Sequence, residues 1–141
     1  MALKATRTDM WTCSVDDRAG GTADKLDLLA RAGANLEMVF ARRAPEMPER
    51  GLLFVSPIEG ARAVRAAEAA GITRAEGIIS IRVEGGDQPG LGARMSRALG
   101  NAGVSFRGLT AIVVGKKFIS YIALDSAADA TKAIAVLKKL S

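Results

Sequence analysis

The residues best placed to do chemistry are Asp87, Gln88, Pro89, Gly90 and Leu91, a string that follows an alternating apolar run at 78–83 and opens an amphipathic run at 91–102. That order predicts a strand-to-helix turn. Pro89 fits the first helical turn without losing a hydrogen bond, and Gly90 permits close approach of backbone or ligand. The exposed amides at the positive end of the helix favour a negative group. The chemistry implied is the holding of a carboxylate. The same five residues also read as a plain helix start, with Asp87 as its cap.

Composition narrows the field around that turn. The 141 residues include no histidine and one cysteine, Cys13. This removes disulfide frameworks, the usual zinc sites and every mechanism with imidazole as base. A non-catalytic chain without metal or cofactor is expected. Cys13 lies in an apolar strand candidate at 10–15 and reads as a small buried hydrophobe. Aromatic residues are 4% of the chain, so the core must be aliphatic and stacking platforms for bases are scarce. The net charge of +5 resides in the second half, where 77–141 hold 9 Lys and Arg against 4 Asp and Glu. These charges are scattered singly or in pairs such as Lys116-Lys117, which describes solvated surface rather than a nucleic-acid stripe. Neither a signal segment nor a membrane-length apolar span is visible, so a cytoplasmic protein without nucleic-acid or membrane partners is expected.

The elements that must position the turn occur twice. Strand 10–15, helix 22–32, strand 36–42, a Pro-containing loop at 44–50, strand 51–56 and helix 61–70 come first. Segment 72–77 is a linker or at most a brief strand. Then strand 78–83, a helix from Pro89 to Ala102, and strands 106–114 and 118–124 joined in a hairpin follow. The final helix starts at Ser126 with a capping-box-like pattern. Sliding the sequence by 70 residues places Asp17 on Asp87, Gly20 on Gly90, Leu29 on Leu99 and Gly33 on Gly103. The turn glycine and the helix-ending glycine are 13 residues apart in both copies, which fixes the length of the helix between them. The chain reads as an α+β protein of two ferredoxin-like units, 1–74 and 75–141, each an antiparallel sheet with helices on one face. Each unit shows only five elements clearly, so open sheet edges imply pairing between units or between chains, and a homo-oligomer is expected.

The string from Gly86 to Val104 resembles the signature of the ACT domain, the small regulatory module attached to many enzymes of amino-acid metabolism. Asp87, Pro89, Gly90, Leu99, Ala102 and Gly103 carry the resemblance. In the first unit Arg18-Ala19-Gly20-Gly21 replaces Gln-Pro-Gly-Leu, a departure from the pattern. The resemblance implies a regulatory module that binds a free amino acid at an interface between two such units. Carried over by position, the binding residues are Asp87, Gln88, Pro89, Gly90, Leu91 and Ser105 in the second unit. In the first they are Asp17, Arg18, Ala19, Gly20, Gly21 and Asn35. An aspartate there can accept from an ammonium group while turn amides donate to a carboxylate.

The alternative is a protein-interaction subunit that docks on an amino-acid-metabolism enzyme without a ligand of its own. An acylphosphatase-like enzyme would need a phosphate-cradling loop, and none is found. Nucleic-acid binding through the sheet would use Phe106, Phe118 and Tyr121, which core packing explains more simply.

Overall fold

Apolar periodicity and glycine punctuation translate directly into elements in the computed structural model, which describes residues 2–140. In chain order they are β1 (Lys4–Thr8), β2 (Trp11–Asp16), α1 (Gly21–Arg31), β3 (Met38–Arg43), β4 (Arg50–Ser56) and α2 (Ala61–Ala69). There follow β5 (Thr73–Arg74), β6 (Ile79–Gly86), α3 (Leu91–Asn101), β7 (Phe106–Val114), β8 (Lys117–Leu124) and α4 (Ala127–Lys138). Helices α1 and α3 begin immediately after Gly20 and Gly90, both in the left-handed conformation at φ 87° and 79°, so each turn requires its glycine. Ser126 caps α4, its hydroxyl accepting from the Asp129 amide at 3.1 Å.

The strands form two four-stranded antiparallel sheets, ordered β3-β4-β2-β5 and β1-β6-β8-β7. The first unit comprises residues 9–76; the second comprises the residues up to Thr8 together with those from Gly77 onward. In the first, α1 and α2 cover one face of the sheet, and Leu29, Leu53, Val55, Ala67 and Ile72 are wholly buried between the layers. In the second, α3 and α4 do the same around Ile81, Val83, Met95, Leu99, Ile122 and Leu137. Strand alternation accounts for the partition: Trp11, Cys13 and Val15 point inward, whereas Thr12 and Ser14 do not.

The fourth strand of the second unit's sheet was not legible in the sequence, whereas that of the first is the brief strand allowed within 72–77. β1 supplies it in the second unit by pairing antiparallel with β6, Lys4 opposite Glu84 and Thr8 opposite Ser80. β5 supplies it in the first, opposite Trp11 and Thr12 only. The division expected at residues 74 and 75 therefore differs from the structure, in which the N-terminal strand folds with the later half of the chain. The outer residues of that expected division, Met1 and Ser141, lie outside the described residues. The expected helix beginning at Pro89 is also corrected. Pro89 precedes the capping glycine, and the first helical residue is Leu91.

Candidate functional site

Both strand-to-helix turns are built to one pattern. The Asp17 amide donates to the Glu49 carbonyl at 3.0 Å and the Asp87 amide to the Lys116 carbonyl at 2.8 Å, so each turn is tied to the neighbouring strand connection. The next bonds also correspond: Gly21 N to Arg18 O at 3.1 Å and Leu91 N to Gln88 O at 3.2 Å. Fewer turn amides are free than the sequence suggests. The helical ladder begins with Asp24 N to Gly20 O and Arg94 N to Gly90 O, so the amides of Thr22 and Ala23, and of Gly92 and Ala93, have no partner within their helices. Neither Asp17 nor Asp87 caps its helix; the cap position is glycine, with no side-chain acceptor.

An arginine lies over each turn, and it comes from opposite ends. In the second unit the Arg94 guanidinium reaches back, Nη2 donating to Gln88 Oε1 at 2.7 Å and Nη1 to the Pro89 carbonyl at 3.1 Å. In the first, Arg18 reaches forward, Nη1 to the Ala19 carbonyl at 3.1 Å and Nη2 to the Asp24 carboxylate. By the 70-residue offset Arg18 corresponds to Gln88 and Asp24 to Arg94. The electrostatic outcome differs. Arg18 also lies 3.7 Å from Asp16, and the hydrogen bond to Asp24 is the main cause of its raised pKa. Arg94 bonds only to neutral oxygens among the described residues, so its charge adds to the positive end of α3.

The two aspartates differ likewise. Arg43 holds Asp17, Nε donating to Oδ2 at 3.0 Å and to Oδ1 at 3.3 Å, whereas Asp87 is exposed with no ion pair among the described residues. Gln88 is partly buried, Pro89, Gly90 and Ser105 are exposed, and Leu91 is buried beneath the turn. Arg18, Ala19, Gly20 and Asn35 are exposed and Gly21 is buried. A Cβ on Gly21 would collide with the Asp16 carbonyl oxygen, so glycine at this place reflects close backbone approach. The structure thus brings 87–91 together at one turn and 17–21 at the other, but not Ser105 or Asn35. Phe106, next to Ser105, pairs with Leu124 at the Ile79 end of the sheet, whereas Gly86 pairs with Lys117 at the other end. Met38, close to Asn35, pairs with Ser56, whereas Arg43 and Gly51 pair at the Asp17 end; each residue lies a full helix length from its turn. Sequence reasoning missed Arg94, although its six-residue separation from Gln88 repeats that of Asp24 from Arg18.

Cys13 is buried and unpaired. Burial raises its pKa, with Lys25 and Arg50 opposing, so the thiol rests protonated. Among the described residues no group of three or more His, Cys, Asp or Glu is placed to hold a metal ion, and no helix is long and apolar enough to cross a membrane.

No protein-family model and no curated protein matches the sequence. Solved structures do match over the whole length. Protein BT0572 from Bacteroides thetaiotaomicron superposes with a TM-score of 0.72 at 15% identity, covering 97% of this chain and 99% of that one. The ligand-free regulatory subunit of aspartate kinase from Thermus thermophilus gives 0.63 at 17% identity, covering 97% of each chain. Aspartokinase alpha and beta subunits give 0.66 at 15% identity, covering 99% and 96%. At such identities the likeness establishes the fold. The chain has the ACT-domain fold, as a pair of ferredoxin-like α+β units.

Proposed function

We propose that the chain is a non-catalytic regulatory module that senses a free amino acid, with the second-unit turn as its working site. The observation that carries this reading is the Arg94 guanidinium over the N-terminus of α3, hydrogen-bonded to Gln88 and Pro89 but to no carboxylate among the described residues. A cation and a helix dipole acting together favour a ligand carboxylate. Exposed Asp87, without an ion pair among the described residues, offers an acceptor for the ligand's ammonium group. Gln88, Pro89, Gly90 and Leu91 complete the turn, and Ser105, at the opposite end of α3, would reach a ligand only across an interface with another copy. The first-unit turn of Asp17, Arg18, Ala19, Gly20 and Gly21, with Asn35 again at the far end of its helix, is the weaker one, because Arg43 and Asp24 already neutralise its charges. The regulatory subunit of aspartate kinase among the structural neighbours supports the regulatory role.

The turn is shallow, and a second surface must close it. β7 is an edge strand whose Ile112 and Val114 are 55% and 61% exposed, with no charged residue from Gly108 to Val114 to discourage pairing. A homo-oligomer joined along β7 follows, and Ile112→Lys should shift the chain toward monomer in size-exclusion chromatography with light scattering.

A thermal-shift screen of the standard amino acids tests the function. Ligand at a hundredfold its Kd stabilises the native form by about 2.7 kcal/mol. The expected result is a hit that Arg94→Gln abolishes; no hit at millimolar concentration overturns the reading. The second reading, an enzyme-docking subunit without a ligand, rests on the same exposed β7 and predicts stoichiometric capture of one enzyme from a lysate while the screen stays blank.

A further inference from the structure

Charge divides unevenly between the units. The second carries 11 Lys and Arg against 4 Asp and Glu, and the first 9 against 11. Cations that are dispersed in the sequence of the second unit are gathered by its fold. α3 buries Leu91, Met95 and Leu99, and α4 buries Ala130, Ala133 and Leu137, against the same sheet. With about 3.6 residues per turn, the opposite side of α3 presents Arg97 between Ala93 and Gly100. That of α4 presents Lys132 and Lys139 among Ala128 and Ala135, with Lys138 beside them. Arg97, Lys132, Lys138 and Lys139 are exposed and form no ion pair among the described residues. α3 has no acidic residue, and the one in α4, Asp129, is half-buried in its first turn.

The first unit shows that the fold does not require this charge. The 70-residue offset places Asp27, Arg62, Glu68 and Ala69 where the second unit has its four cations. Lys138 and Lys139 suit the negative end of α4, but Arg97 and Lys132 lie in mid-helix, beyond the reach of the dipole.

The surroundings of these cations narrow the partner. The large exposed apolar side chains of the second unit are all on β7, and neither helix presents one. A protein partner is anchored by a buried aromatic or aliphatic side chain, and an amphipathic helix on a lipid surface sinks an apolar face into it. Single strands need aromatic platforms for their bases, which both helices lack. A duplex backbone needs cations alone. We propose that the solvent side of α3 and α4 binds the phosphate backbone of duplex nucleic acid without reading its sequence. Alanine and glycine between the cations leave a low surface on which the phosphates can approach the four charges. This activity does not depend on the function proposed for the second-unit turn.

Fluorescence anisotropy of a labelled mixed-sequence DNA duplex of about 20 base pairs, titrated with the full chain, tests it. At about 50 mM salt the Kd should be on the order of 10 μM. Four phosphate contacts give a slope of about −3.6 for the logarithm of the association constant against that of salt concentration. Lys132→Gln with Lys139→Gln should reduce the slope to about −1.8. Lys4→Gln with Lys117→Gln removes the same charge from the other face of the sheet, where Lys4 and Lys117 are exposed beside inward-facing Ala5 and Phe118. That pair should leave the slope unchanged. Equal losses in the two double variants would assign binding to net charge and overturn the proposal. So would the absence of binding at about 100 μM protein, or tighter binding to phosphatidylserine vesicles than to the duplex at equal salt.

Discussion

Arg94 reaches back across its turn to Gln88, Nη2 to Oε1 at 2.7 Å, and the two corresponding positions in the first unit are joined by Arg18 and Asp24. The contact is kept while its polarity is reversed and its net charge changed. In the second unit the pair is cationic, and in the first it is neutral. Geometry alone therefore does not distinguish the turns as anion sites; charge does.

Exchanging the pair isolates that difference. The double variant Gln88→Arg with Arg94→Asp installs the first unit's neutral pair in the second turn. Stability should change by no more than about 0.5 kcal/mol, because both positions lie in a solvent-facing turn. The amino-acid response should be lost, with affinity falling by roughly 1.5–3 kcal/mol, the range for one charged hydrogen bond. Thermal shift with the best ligand of the screen reads both quantities. A double variant that still responds would show that the cation has no part in binding.

Two glycines at the starts of the equivalent helices should respond in opposite directions to alanine. Gly21→Ala drives a Cβ into the Asp16 carbonyl and should cost roughly 1–3 kcal/mol as the turn is forced apart. Gly92→Ala meets nothing within 4 Å and should stabilise by about 0.5–1 kcal/mol through helix propensity. Urea denaturation midpoints distinguish them. Equal effects would mean that the tight approach at Asp16 is not a constraint.

Local features were the legible ones. The glycine pairs 20/33 and 90/103 bracketed α1 and α3 because a left-handed residue ends regular helical pairing wherever it occurs. Ser126 announced α4 through its own cap. β1 escaped notice because Lys-Ala-Thr-Arg-Thr buries only Ala5 and its pairing with residues 80–84 is remote in sequence. Apolar periodicity identifies a strand with a buried face; it does not reveal a polar strand that closes an edge.

The Ser126 cap allows a direct test of that local legibility. Ser126→Ala removes the acceptor for the Asp129 amide and should destabilise the chain by about 1 kcal/mol. Ser126→Asp, which restores an acceptor, should recover most of the loss. Thermal denaturation of the two variants checks this, and an alanine variant as stable as the parent would remove the cap from any account of α4.

Acid stability should depend on one carboxylate of the β6–β8 pair. Glu84 accepts from Lys117 Nζ at 2.9 Å and from Arg82 at 3.1 Å, its side chain 20% exposed. The Lys117 bond, followed by that of Arg82, holds its pKa below the ordinary 4.5. The folded state thus binds this proton less readily than the unfolded chain. The associated stabilisation is fully present above 4.5 and is lost as pH falls through the lower folded value. Partial exposure limits it to roughly 1 kcal/mol. Glu84→Gln should therefore be less stable than the parent at neutral pH, and the difference should shrink as acid protonates the parent's carboxylate. Urea midpoints at about pH 7, 4.5 and 3 give the comparison. A gap that widens toward low pH would mean that Glu84 is the proton-accepting partner in the folded state and would reverse the sign assigned to it.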